Sequence, residues 1–147
     1  MPPGNCIDMA LDRNSTRYSP PGPAALKSAP VEAQALAELR SNFDEENSAL
    51  FNELLALFIS ELDPRLDAIR DAIERADQKA ISAAAHALKG SSALVGARTM
   101  AELCLQIEIA SRSGAMAKAR MVLTGLVNEA ERVRQALRAV LNSAQRR

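Results

Sequence analysis

Aromatic residues and cysteines are scarce in this 147-residue chain, and neither sign of charge predominates. It contains no Trp, one Tyr, three Phe and two Cys. Cys6 lies in a polar stretch and Cys104 on an apolar helical face, a setting that is typical of free thiols rather than of a disulfide framework. Eighteen basic residues balance eighteen acidic ones. Without a positive excess to hold a phosphate backbone, we expect no nucleic acid as a partner.

Long hydrophobic runs and nucleotide-binding glycine motifs are also missing from the sequence. No stretch of about 18 apolar residues occurs, so the sequence predicts no membrane-spanning segment and no membrane partner. The N terminus lacks the apolar core of a secretion signal. Together with the free thiols, these absences favour a cytoplasmic location. The lack of a glycine-rich phosphate loop argues against a kinase that acts by itself.

The first 30 residues differ in composition from the rest of the chain. Five of the seven prolines precede Pro30, and they are interspersed with Asn, Ser and Arg. Such a segment cannot bury enough apolar surface to offset the entropy lost on ordering. We therefore predict a flexible tail over residues 1–30 and one folded domain over residues 31–147.

What the sequence has in abundance is apolar residues spaced three and four apart, the pattern of amphipathic helices. A short helix predicted over 31–42 carries Leu36 and Leu39 and is expected to form a lid. The next segment is long, and Pro64 interrupts it, which predicts either a kink or a break into two helices. Its apolar stripe comprises Phe51, Leu55, Phe58, Leu62, Leu66, Ile69, Ile73 and Ala76.

Three more helical segments are predicted over 78–94, 97–113 and 115–142. Gly96 and Gly114 follow the first two of these and are expected to terminate them. Connections this short make successive helices antiparallel neighbours. The sequence thus predicts an all-α protein, an antiparallel up-down-up-down four-helix bundle with an N-terminal lid helix.

His86 is the only histidine, and helical geometry places it on the outside. It lies about 200° around the helix from Leu88, a predicted core residue. Small side chains dominate the face around it, and a mid-helix glycine costs up to about 1 kcal/mol relative to alanine. The residues that share this face are Ser82, Ala83, Lys89, Gly90 and Ala93.

Two interpretations of this face are open. A lone surface histidine with a lysine three residues later is common on an ordinary solvated helix. A neutral imidazole is also a nucleophile that can accept a phosphoryl group, and Lys89 could stabilise the charge on that group. The small side chains favour the second interpretation, because they allow a partner's active site to approach His86 closely.

The stretch "AAHALKGSSALVGA" resembles the signature of histidine-containing phosphotransfer (HPt) domains, which is H-x-L-K-G-S followed shortly by Gly. The match covers His86, Leu88, Lys89, Gly90, Ser91 and Gly96. The resemblance extends over the apolar pattern from about residue 32 to residue 140. It implies a phosphorelay intermediate, in which His86 takes a phosphoryl group from a receiver-domain aspartate and passes it to the receiver aspartate of a response regulator.

The resemblance also implies partners and site residues. The expected partners are response-regulator receiver domains and a hybrid sensor histidine kinase. The chain is expected to be a monomer that needs no cofactor, and Mg²⁺ is expected to be held by the receiver. His86 and Lys89 would carry the chemistry. Receiver docking would involve Ser82, Ala83, Gly90, Ser91, Ala93, Leu105 and Glu108. Some members have a Gln that holds the imidazole where this chain has Glu108. The alternative interpretation of Glu108 is an acidic residue on an ordinary solvated helix face.

Three functions remain open at this point. The first is a phosphocarrier, which transfers phosphoryl groups without an ATP site. The second is a non-catalytic adaptor or scaffold that docks receivers, although such a protein needs no nucleophile. The third is a phosphoacceptor domain excised from a larger hybrid or chemotaxis-type kinase.

Overall fold

A computed structural model describes residues 29–145 of the chain, and every regular element in that range is helical. The predicted tail over residues 1–30 and Cys6 therefore lie almost wholly outside the described residues. The five α-helices are α1 (Ala33–Arg40), α2 (Ser48–Glu74), α3 (Gln78–Leu94), α4 (Arg98–Arg112) and α5 (Met116–Gln145), and a 3₁₀ turn (Glu45–Asn47) leads into α2. Within the described range, no helix combines the length and the apolarity needed to span a membrane.

The four long helices form the predicted antiparallel bundle. Turns of three residues join α2 to α3, α3 to α4 and α4 to α5. Each of these helices packs against the next, and α5 returns to contact α2. Fully buried side chains from all four helices fill the centre, among them Leu55, Leu62, Ile69, Ile81, Leu88, Met100, Leu103, Ile107, Leu126 and Leu137. The all-α fold prediction is confirmed.

Helix α2 runs through Pro64 without interruption, so the alternative of two separate helices is wrong. Proline lacks the N–H that would bond to the carbonyl of Ser60. Both Pro64 and Ser60 are exposed, so water can hydrate that carbonyl, while Leu62 and Leu66 on the opposite side stay buried. The proline is tolerated because the lost hydrogen bond faces solvent.

The three turns of the bundle have the same backbone conformation. Each contains a residue with positive φ: Ala76 (53°), Gly96 (83°) and Gly114 (75°). The N–H of the following residue donates to a carbonyl five positions back, from Asp77 to Ala72, from Ala97 to Ser92 and from Ala115 to Ala110. This is the Schellman end of a helix, which favours glycine at the left-handed position. The predicted ends at Gly96 and Gly114 are confirmed.

Ala76 was expected to extend the apolar stripe of α2, and that prediction is wrong. The helix ends at Glu74, and Ala76 lies exposed in the turn. Its helical spacing from Ile73 has no structural meaning, because the backbone has already left the helical region at that point. Any residue with a Cβ atom is sterically strained in this left-handed conformation, whereas glycine is not.

Helix α1 packs against α3 as a short cap on one end of the bundle. The backbone N–H of Glu32 donates to the carbonyl of Gly96 at 2.9 Å. A methyl group on Gly96 would lie 3.0 Å from Ala35 Cβ and 3.1 Å from the Glu32 carbonyl oxygen. Gly96 is therefore required twice, by its positive φ and by the close approach of the chain that enters α1.

Replacing Ala76 with glycine should raise the free energy of unfolding by up to about 1 kcal/mol, because glycine adopts positive φ without a Cβ clash. Chemical denaturation measures the change. Ala68→Gly is the matched control, since Ala68 is exposed within α2, and there the same replacement should cost up to about 1 kcal/mol. A loss of stability in both variants would contradict the role assigned to the turn.

Candidate functional site

Helix α3 is held in a defined rotation by contacts at its beginning. The Asp77 carboxylate accepts a hydrogen bond from the backbone N–H of Ala80 at 3.1 Å, which caps the helix. The hydroxyl of Ser111 on α4 donates to the carbonyl of Gln78 at 3.3 Å. With the buried face of α3 packed inward, the side chain of His86 is 70% exposed, as the sequence predicted.

Glu108 lies under His86 and is buried, with only 6% of its side chain accessible. The alternative that it sits on a solvated helix face is therefore wrong. It follows Cys104 by four residues and precedes Ser111 by three, and both of these are fully buried. The same spacing in the sequence would have placed Glu108 next to the buried face of α4.

The carboxylate of Glu108 connects the two residues proposed for the chemistry. Lys89 Nζ lies 2.9 Å from Glu108 Oε1, an ion pair between adjacent helices. This contact is an ion pair without hydrogen-bond geometry, and no other described residue donates a hydrogen bond to that oxygen. His86 Nδ1 lies 3.7 Å from Oε2, which is too far for a direct hydrogen bond. Nε2 is thus the ring nitrogen that does not face the carboxylate.

Cys104 lies next to this group but on the core side of it. Burial, with a smaller contribution from the Glu108 charge, raises the pKa of the thiol to about 12, although Lys89 acts in the opposite direction. The thiolate is the nucleophilic form of cysteine. Cys104 therefore stays neutral and packs as a core residue, whereas the His86 side chain is exposed to solvent.

The face of α3 around His86 is as open as the small side chains predicted. Ala83 and Ala93 are exposed and Ser82 is half-buried. A methyl group added to Gly90 would meet no atom within 4 Å. No helix of the described chain packs against Gly90, so internal packing does not explain this glycine.

The other predicted docking residues fall on two sides of α3. Lys89, Ala93 and Leu105 line a depression of about 450 Å³ that also borders α1. Ser91 lies on the opposite side, where it lines a smaller depression with Leu57 and Leu94 on the α2 side of the helix. The structure therefore brings together His86, Lys89 and Glu108, and it separates Ser91 from them.

Residues 29–145 contain no cluster of side chains suited to metal binding. No group of three or more His, Cys, Asp or Glu side chains in that range is arranged to hold an ion. Glu108 is a single buried carboxylate, and its nearest charged partner is the ammonium of Lys89. The expectation that Mg²⁺ belongs to the receiver stays a prediction.

The family model of the Hpt domain matches residues 53–140, which include α3, α4 and the residues of the site. The chain belongs to the Hpt domain family. Its general role is therefore phosphotransfer in two-component signalling. Hpt domains in general work with receiver domains and hybrid kinases. A search of curated proteins returned no match.

Solved structures support the Hpt fold. Histidine-containing phosphotransfer protein B from Pseudomonas aeruginosa PAO1 superposes with a TM-score of 0.72 at 24% identity, over 80% of this chain and 98% of that one. A putative rice phosphotransfer protein also gives 0.72, at 22% identity, over 84% and 87% of the two chains. The HPT domain of a Shewanella hybrid histidine kinase gives 0.62 at 24% identity, over 78% and 96%.

Removing the ammonium of Lys89 should destabilise this Hpt domain. Lys89→Ala leaves the buried Glu108 carboxylate without its ion partner, and we expect the free energy of unfolding to fall by about 1–3 kcal/mol. Urea denaturation measures this loss. Adding Glu108→Gln to Lys89→Ala should recover much of the stability, because the amide is neutral.

Lys79→Ala is the control for that experiment. Lys79 is exposed near the beginning of α3, and its replacement should change stability by no more than about 0.5 kcal/mol. If Lys89→Ala is as stable as the control, the ion pair makes no contribution to the fold.

Proposed function

We propose that this protein is a phosphorelay intermediate that accepts a phosphoryl group on His86 from a receiver-domain aspartate and passes it to the receiver aspartate of a response regulator. The observation that carries the proposal is an exposed imidazole beside a lysine and on a face without bulky side chains. An adaptor would need the open face but not the nucleophile. The Hpt family assignment supports the carrier over the adaptor.

The chemistry follows from the exposed ring. The lone pair of Nε2 attacks the phosphorus of the aspartyl phosphate, the P–O bond to the aspartate breaks, and the bonding electrons leave with the carboxylate oxygen. The tautomer that leaves the Nε2 lone pair free carries its proton on Nδ1, 3.7 Å from Glu108 Oε2. Once the N–P bond has formed, this proton is released to solvent, so the phosphorylated ring is uncharged. A receiver would bring the Mg²⁺, which would offset charge on the transferred group.

Docking requires the receiver to come within bonding distance of His86. Gly90, Ala83 and Ala93 surround the imidazole with little side-chain volume, so a partner backbone can approach closely. Leu105 is 39% exposed beside Lys89 and offers apolar contact at the edge of this surface. Ser82 and Ser91 are half-buried, and they remain predicted docking residues at the sides of the surface around His86.

His86→Gln should abolish phosphoryl labelling while the fold remains intact, because an exposed side chain contributes little to stability. The measurement is transfer of labelled phosphoryl from a phosphorylated receiver domain, with thermal unfolding as the control for the fold. Acid-labile, base-stable label on the folded variant would falsify the assignment of His86. Receiver binding by a wild type that never takes up label would identify an adaptor.

Substitutions at Gly90 should separate stability from function. Gly90→Ala should raise the free energy of unfolding by up to about 1 kcal/mol, since nothing lies within 4 Å of an added Cβ. Gly90→Gln should still fold, because Gly90 is exposed. Both should slow transfer, and Gln much more than Ala, because its side chain holds the receiver away from His86. Thermal melts and transfer rates from one phosphorylated receiver measure the two effects. Normal transfer by the Gln variant would contradict docking on this face.

A further inference from the structure

We propose that Glu108 competes with the phosphoryl group for Lys89, and that it thereby disfavours the phosphorylated state of His86 and biases transfer towards the receiver. This inference rests on the proposed function and adds to it a direction of phosphoryl flow.

The contacts show that Lys89 is not free to serve His86 alone. Its ammonium is 2.9 Å from Glu108 Oε1, and only 6% of the Glu108 side chain is accessible. No described residue other than Lys89 provides that oxygen with a polar partner. Solvent therefore cannot easily replace the ammonium if Lys89 turns away.

Phosphorylation changes the charge balance of this group. Before transfer, the charges of Lys89 and Glu108 cancel. Afterwards the N–P bond on Nε2 adds a phosphoryl group with about two negative charges at neutral pH, the ring releases its Nδ1 proton to solvent and so stays uncharged, and the aspartate of the receiver has recovered its carboxylate. One ammonium now faces two anions.

Neither arrangement of Lys89 satisfies both anions. If it stays with Glu108, the phosphoryl group lacks a counter-charge from this chain. If it turns to the phosphoryl group, a buried carboxylate is left without a partner, which is costly. A neutral Gln at this position would remove the conflict and leave Lys89 to the phosphoryl group. Glu108 is thus a positioning residue, which acts on the phosphoryl group through Lys89.

The test measures the equilibrium of phosphoryl transfer between the full chain and one receiver domain with Mg²⁺, at one fixed pH of about 8 for all variants. Glu108→Gln should raise the equilibrium constant for formation of phosphorylated His86 about tenfold. Glu108→Ala, a second neutral variant, should shift it in the same direction. Glu53→Gln, an exposed carboxylate of α2, removes the same charge elsewhere and should leave the equilibrium unchanged.

A double-mutant cycle separates competition for Lys89 from direct repulsion between Glu108 and the phosphoryl group. In the Lys89→Ala background there is no ammonium to compete for, so Glu108→Gln should shift the equilibrium less than in the wild type. An equal shift in the two backgrounds would overturn the competition.

The remaining outcomes distinguish this inference from the proposed function. Normal labelling with an equilibrium unaffected by either Glu108 variant would overturn the inference and leave the phosphorelay role in place. Failure of the wild type to take up label from any receiver would overturn both.

Discussion

The packing of α3 against α4 brings together charges that neither helix could hold alone. Glu108 is buried because α3 covers it, and Lys89 reaches it from one turn beyond His86. A carboxylate removed from water requires a partner, and the ammonium supplies one at the edge of the bundle. The rotation of α3, set by its buried stripe and its capped beginning, decides that His86 faces outward while Lys89 turns down towards α4.

This arrangement places stability and function in opposition at two positions. Gly90 weakens the middle of α3 and has no packing reason within the described chain, which is consistent with a face kept open for a partner. Glu108 introduces a buried charge into an interface where an apolar residue would pack more simply. Departures from local rules of this kind concentrate at functional sites, because selection acts there on chemistry as well as on folding.

Much of the fold could be predicted from apolar spacing. The predicted segments form α3, α4 and α5, each with buried apolar side chains, and Gly96 and Gly114 follow the ends of α3 and α4 with positive φ. The errors have local causes. Ala76 continued the helical period but lies in a turn, because periodicity records where apolar residues fall and not where the backbone leaves the helix. Pro64 suggested a break, yet its missing hydrogen bond faces water.

The sequence by itself determined the helical bundle, the outward direction of His86 and the small side chains around it, because these follow from residue spacing within single helices and from the short connections between them. The ion pair between Lys89 and Glu108 was decided only by the tertiary structure. The two residues are distant along the chain and belong to different helices. Their contact depends on how far α3 and α4 are rotated and shifted against each other, and only the packing of both helices sets that relation.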